Sequence, residues 1–153
     1  MPPIVSHIEI ARPPEEVFAY VTDPSRFAEW QHDVVRVDIQ GNGLAGVGSR
    51  FVTTRRLGGA ERAMTQEITE LDPPRRWVAR GVDGPLRPSA DVTVEPLAGG
   101  TGSRVTIALE FEGHGFGKLL PLDVIRRMAA KGGPRSYQNL KERLEQGHVS
   151  PTR

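Results

Sequence analysis

Few residues of this sequence have the types and spacing that catalysis requires. The chain has no cysteine, which excludes disulfides, thiolate nucleophiles and cysteine-based metal sites. Its histidines, His7, His32, His114 and His148, are scattered, and no pair has the helical spacing of a zinc-binding motif. No nucleophile elbow, phosphate-binding loop or dinucleotide-binding glycine motif is present. The sequence therefore predicts no metal site and no cofactor, and it identifies no catalytic residue.

Four polar residues fall among apolar positions and could contact a bound molecule. Thr53, Arg55 and Gln66 are on predicted strand faces that are otherwise apolar, and Tyr137 continues the apolar stripe of a predicted helix. The alternative is that these side chains point outward or bond to neighbouring groups. An inward Arg55 would need a partner, for which an acidic group of a ligand is the natural choice. None of the four is a good general base near pH 7.

Glu67 and Glu70 flank Ile68 and allow two interpretations. They could act as general bases in a cavity, or they could form a pair on the solvated face of a strand. The alternation that places Ile68 inside places Glu67 outside, which favours the solvated face. His114 likewise is either near a cavity entrance or simply in an exposed loop.

Apolar periodicity predicts the elements that position these residues. Alternation from Ile4 to Ile10 predicts a first strand, and prolines after it predict the start of a short helix. That helix ends at Thr22 to Pro24, where Asp23 can cap a second short helix. Phe27 and Trp30 are three residues apart and share one face of this second helix.

The rest of the chain predicts six more strands and one long helix. Alternating runs from Asp33 to Glu112 are separated by glycine- and proline-rich turns, and apolar spacing from Leu119 to Leu144 is helical. Lys131 to Pro134 is predicted to bend or break this helix. An antiparallel sheet must bury the helix against one face, so we expect an α+β fold. Residues 1–147 are predicted to form a single domain and residues 148–153 a flexible C-terminal tail.

The composition excludes several classes of protein. The 153 residues are 37% hydrophobic and 25% charged, with a net charge of +1 and no long block of like charge, so nucleic-acid binding is not expected. No apolar run reaches the roughly 18 residues of a membrane span, and the N-terminus lacks a signal-peptide pattern. We therefore expect a cytoplasmic protein, either a monomer or a homodimer.

Five segments, in order and spanning nearly the whole chain, show a family resemblance. They are "IEIARPPEEVFAYVTDPSRFAEW" from Ile8, "GVGSRF" from Gly46, "ITELDPPRRWVAR" from Ile68, "GGTGSRVTI" from Gly99 and "NLKERLE" from Asn139. Together they resemble the polyketide cyclase/dehydrase branch of the START-related, pollen-allergen-like superfamily, SRPBCC. The resemblance implies a helix-grip fold, in which a seven-stranded curved antiparallel sheet wraps a long C-terminal helix. The resemblance also implies that two short helices after strand one close one end, and that a cavity lies between the sheet and the helix.

Strand alternation and the helical stripe predict which residues would line that cavity. Trp30, at the tip of the second short helix, could pack in the core or face the cavity. A single bulge would exchange the two faces of a strand, so the assignment depends on register. The predicted lining residues are Trp30, Phe51, Thr53, Arg55, Met64, Gln66, Trp77, Val92, Leu109, Phe111, Val124, Met128 and Tyr137.

Three functions follow from this sequence and its resemblance. The first is binding of a small, largely hydrophobic or aromatic molecule in the cavity. The second is an enzyme similar to aromatic polyketide cyclases, which would require an acid and a base facing the cavity. The third is a protein-interaction module without a ligand, whose interior would be filled.

Overall fold

The structure is a computed structural model that describes residues 2–41, 46–119 and 121–147. The predicted tail and His148 lie outside the described residues. The elements are β1 (Ile4–Ile10), α1 (Pro14–Val21), α2 (Phe27–Trp30), β2 (Val34–Ile39), β3 (Arg50–Leu57), β4 (Ala60–Asp72), β5 (Arg76–Asp83), β6 (Leu86–Leu97), β7 (Gly102–Gly113) and α3 (Leu122–Glu145). Short 3-10 turns cover Pro24–Arg26, Ala98–Gly100 and Gly115–Leu119.

The seven strands form one curved antiparallel sheet in the order β1-β7-β6-β5-β4-β3-β2. Consecutive strands from β2 to β7 pair as hairpin neighbours, and β1 closes the order by pairing with β7. Helix α3 packs against β1 and β7. The predicted α+β helix-grip fold is confirmed.

Local sequence explains the first strand and the two short helices. In β1, Ile8 and Ile10 are buried, as the alternation predicts. Asp23 accepts a hydrogen bond on Oδ1 from the backbone N–H of Ser25 (3.0 Å) and so caps the 3-10 turn before α2. The rings of Phe27 and Trp30 then meet edge to face with centroids 6.2 Å apart.

Bulges decide which residues of two strands face the core. Between Val34 and Arg36 the pairing of β2 with β3 shifts, so Val34 is buried and Val35 is 40% exposed. The alternation of Val35, Val37 and Ile39 with polar residues predicts that Val35 faces the core, but the bulge turns Val34 inward instead. The pairing of β4 with β5 shifts at Thr65/Gln66 and at Ile68/Glu70.

Helix α3 shows no break at the predicted position. The element continues through Pro134, which lies on its exposed side. Its buried side includes Ile125, Ser136, Leu140 and Leu144, so one apolar stripe packs on the sheet over the whole length.

Candidate functional site

A cavity of about 190 Å³ lies between the sheet and α3. Strands β3 to β7 form one wall, α3 forms the opposite wall, and α2 with the loop after it closes one end. The wall is largely apolar. Its members are Val21, Phe27, Trp30, Gln31, His32, Asp33, Arg55, Arg56, Leu57, Met64, Gln66, Trp77, Pro88, Ser89, Ala90, Val92, Ile107, Leu109, Phe111, Ile125, Met128, Ala129, Gly132, Gly133, Ser136 and Tyr137.

Most of the predicted lining residues lie on this wall. Trp30 contributes both to the hydrophobic core and to the cavity, so its two interpretations are compatible. Whether these residues bind a ligand stays a prediction. The predicted residues on the wall are Trp30, Arg55, Met64, Gln66, Trp77, Val92, Leu109, Phe111, Met128 and Tyr137.

Three predicted lining residues are not part of the wall. Phe51 stacks on Trp77 with centroids 6.2 Å apart, and this packing directs it into the core. Thr53 is 1% exposed, and its short side chain is covered by its neighbours. Val124 is 45% exposed because the next residue, Ile125, occupies the buried side of α3 and one helical step rotates Val124 away.

The sequence analysis missed the polar group at the α2 end of the cavity. Gln31, His32 and Asp33 follow α2 in the loop to β2, and Ser136 lies on α3. Loop residues have no periodicity, so no pattern could assign their direction. Ser136 does share a helical face with Met128 and Ala129, which is the one signal that could have identified it.

Arg55 is paired within the protein. Its Nη1 donates to Oδ1 of Asp33 (2.9 Å), and its Nη2 donates to Oε1 of Gln31 (2.5 Å). The side chains of Arg55 and Asp33 are each 24% exposed. The acidic partner that the sequence analysis sought in a ligand is therefore Asp33, and the positive charge at this end of the cavity is already compensated.

His32 connects the α2 loop to α3. Its backbone N–H donates to Oγ of Ser136 (3.1 Å), and its Nδ1 lies 3.0 Å from the same oxygen. When Nδ1 carries the proton and donates to Ser136, Nε2 is a free acceptor. The imidazole is exposed and lines the cavity, so it lies where the cavity meets solvent.

Tyr137 supplies a protonated hydroxyl on the helix side of the cavity. Burial raises the pKa of its phenol above the ordinary value, and the charge of Asp33 raises it further. A hydrogen bond with Ser6 and the charge of Arg55 act in the opposite direction. The net effect is an upward shift, so Tyr137 is neutral at pH 7 and can donate a hydrogen bond.

An aromatic cluster packs beside the cavity, next to α2. The ring of Phe27 meets the rings of Phe51 and Trp77 edge to face, with centroids 5.9 and 6.1 Å apart. The ring centroids of Trp30 and Tyr137 are 6.5 Å apart. Among the described residues, the indole N–H groups of Trp30 and Trp77 are buried without a hydrogen-bond partner. The cluster is therefore fixed by ring packing rather than by polar contacts.

A second cavity, of about 580 Å³, lies between α1 and the strand ends at Ser49, Leu71 and Pro73. Its charged lining residues already have partners: Asp23 caps the following turn, and Arg50 pairs with Glu67 at 3.0 Å. This space therefore offers apolar surface without a convergent polar group, although its volume is the larger.

The remaining candidate groups lie away from the cavity. Glu67 pairs with Arg50, and Glu70 pairs with Arg76 (3.3 Å), so both glutamates have the partners expected of an outer face. His114 lies 3.2 Å from Glu112 beyond the end of β7. In the described ranges, no three His, Asp or Glu residues are grouped as metal ligands, and no helix is long and apolar enough to cross a membrane.

The sequence profile of the family described as polyketide cyclase / dehydrase and lipid transport matches residues 1–145. No curated protein matches the chain in sequence. The fold is similar to that of the Zhui aromatase/cyclase from Streptomyces sp. R1128, with a TM-score of 0.79 and 15% identity over 97% of this chain and 96% of that one.

Two further solved structures share the fold. A START superfamily protein from Mycobacterium smegmatis has a TM-score of 0.77 and 13% identity, covering 95% of this chain and 99% of its own. The protein TTHA0849 from Thermus thermophilus has a TM-score of 0.77 and 20% identity, covering 97% of this chain and 100% of its own. At these identities the likeness concerns the fold alone.

Proposed function

Because the chain belongs to the polyketide cyclase / dehydrase and lipid transport family, we propose that it binds a small, largely hydrophobic or aromatic molecule in the cavity between the sheet and α3. The observation that supports this best is the cavity itself, which ring-packed and aliphatic side chains enclose. Apolar surface removed from water contributes roughly 25 cal/mol per Å², so a ligand of this kind gains affinity by burial alone. A module with a filled interior, the third function considered from the sequence, would lack this space.

The polar residues are placed to orient such a ligand. Several of them lie at the α2 end of the cavity, where Tyr137 offers a neutral hydroxyl and Arg55 is neutralised by Asp33. A ligand with an oxygen atom at one end and an apolar body satisfies both parts of the wall. Neutral or weakly polar oxygen groups fit better than a strong anion, because the two arginines among the described lining residues, Arg55 and Arg56, are paired with Asp33 and Glu61.

Binding is tested with a probe and a cavity-filling variant. The neutral fluorescent dye N-phenyl-1-naphthylamine should bind the native protein, and Ala90→Phe should abolish binding because Ala90 lines the cavity. Ala63→Phe is the control, since Ala63 is exposed on β4. Equal binding by both variants, with unchanged thermal unfolding, would refute the site. Native mass spectrometry of protein from its own host should reveal a bound small molecule.

A second candidate function is a cyclase-type enzyme, and His32 is the observation that favours it. None of the polar lining residues predicted from the sequence is a good base. His32 could serve as the base, with its Nε2 accepting a proton from a carbon next to a carbonyl group of the substrate. The hydroxyl of Tyr137 would donate to the carbonyl oxygen as the enolate forms. The imidazolium of His32 exchanges its proton with solvent and returns a solvent-derived proton to the carbon, which regenerates the neutral imidazole and the ketone and balances the exchange.

This candidate predicts measurable proton exchange. The probe 2-tetralone in deuterated water should exchange its α-protons faster with the native protein than with His32→Gln or Tyr137→Phe, as followed by NMR. Exchange at the same rate in all three proteins would exclude catalysis by these groups and leave the binding function intact.

A further inference from the structure

The two most exposed large apolar side chains among the described residues are neighbours. Phe116 is 89% exposed and Leu119 is 84% exposed, and both lie on the 3-10 turn Gly115–Leu119 between β7 and α3. Lys118, also exposed, lies between them in sequence. These two side chains are not buried in the protein, so packing within the fold does not explain why they are apolar. A contact with another molecule is the natural explanation.

The surrounding sequence is strongly basic. Residues 115–135 contain five basic side chains and one acidic side chain, whereas the whole chain has a net charge of +1. The rest of the chain therefore carries net negative charge. The acidic residue is Asp123, and the basic residues are Lys118, Arg126, Arg127, Lys131 and Arg135.

We propose that the turn Gly115–Leu119 and the first half of α3 form a docking surface for an anionic lipid bilayer. Phe116 and Leu119 would enter the headgroup region, where aromatic and aliphatic side chains gain from burial. The nearby cations would contact acidic headgroups, because the negative surface potential of an anionic bilayer attracts basic side chains close to it. This is peripheral docking and requires no membrane-spanning helix.

A bilayer fits these observations better than a protein partner. A stable protein interface buries about 800 Å² on each side, with many contacting residues. Two protruding side chains offer only a fraction of that area, because one aromatic side chain buries roughly 150 to 250 Å². Insertion of one or two apolar side chains with surrounding cations is enough for reversible attachment to a membrane.

The docking surface is close to the cavity. Leu122 is the first residue of α3, three positions after the last residue of the turn, and it packs on a cluster that contains Met64 and Ile125, both of which line the cavity. A ligand of the proposed kind dissolves poorly in water and concentrates in a bilayer. Docking here would place the cavity next to the bilayer in which such a ligand is dissolved. The docking itself does not depend on the proposed function.

Flotation with lipid vesicles tests the proposal. The full chain should float with vesicles that contain phosphatidylcholine and phosphatidylglycerol, and much less with vesicles of phosphatidylcholine alone. The double variant Phe116→Ser/Leu119→Ser should weaken binding to the anionic vesicles by about tenfold or more, and Lys118→Glu/Arg127→Glu should do the same. Val47→Ser is the matched control, because Val47 is 67% exposed elsewhere on the surface.

Three results would overturn the proposal. The first is that the native protein floats with neither kind of vesicle. The second is that it floats equally with neutral and anionic vesicles. The third is that the Phe116→Ser/Leu119→Ser variant floats as well as the native protein. Each variant is first checked for native thermal unfolding and for binding of N-phenyl-1-naphthylamine in the cavity. If the native protein binds the dye but does not float with the anionic vesicles, docking is refuted and the cavity function still stands.

Discussion

The imidazole of His32 lies directly on the backbone of Gly132 in α3. A Cβ atom at position 132 would come within 2.6 Å of Cε1 of this ring, which is closer than real Cβ atoms approach, and within 3.1 Å of Nε2. The hydrogen bond between His32 and Ser136, one turn further along, holds the ring there. Glycine weakens a helix, but at position 132 it leaves room for the His32 ring, through which the α2 loop contacts α3.

Gly132→Ala should therefore fail to give the usual gain in stability. Alanine in place of glycine in a helix stabilises by roughly 1 kcal/mol, but here it must displace the imidazole and break its bond to Ser136. In a His32→Ala background the same change should raise the free energy of unfolding by about 1 kcal/mol, measured by urea denaturation. An equal gain in both backgrounds would show that the contact has no energetic effect.

Asp33→Asn should increase affinity for an anionic ligand. The change removes the charge that neutralises Arg55 at 2.9 Å, so 8-anilinonaphthalene-1-sulfonate should bind roughly fivefold more tightly, which corresponds to about 1 kcal/mol. Asp38→Asn makes the same change in net charge at an exposed position and should have no such effect. Equal effects of the two variants, in a fluorescence titration, would mean that only the net charge matters.

Thr53→Val should leave stability unchanged or raise it by up to about 1 kcal/mol. The Oγ1 atom of Thr53 is buried with no hydrogen-bond partner among the described residues, so replacing the hydroxyl by a methyl group removes an unfavourable burial. The matched change is Thr22→Val, because Oγ1 of Thr22 donates to the carbonyl of Phe18 (2.7 Å). That variant should lose about 1 kcal/mol in urea denaturation. A similar loss at Thr53 would reveal a partner for its hydroxyl.

The folded protein should show no ordinary tyrosine titration. The chain has two tyrosines, and burial raises the pKa of both phenols, Tyr20 additionally through its hydrogen bond to Glu29. The unfolded chain loses these protons near pH 10, whereas the native state loses them only at higher pH. Stability should therefore fall as the pH rises above about 10, because the unfolded state binds fewer protons there. Near-ultraviolet absorbance of phenolate at pH 10 in the folded protein would contradict this.

The order of the elements and the general site were predictable because the relevant patterns are local. Alternation in β1, the proline and aspartate signals around α2, and the helical spacing in α3 each involve residues within a few positions of one another. The same patterns directed Met64, Gln66 and Trp77 toward the sheet's inner face, and these residues line the cavity. Their errors occurred where a local pattern is ambiguous, as at the bulge beside Val35.

What this sequence determines by itself is the alternation and spacing of apolar residues, hence the elements, their order and the faces that must be buried. Only the tertiary structure decided which polar side chains meet, because that depends on contacts between distant parts of the chain. His32 and Ser136 are 104 positions apart, and Arg55 and Asp33 are joined only because β3 passes the loop before β2. Chain folding brings these groups to one end of a cavity, and no local periodicity contains that information.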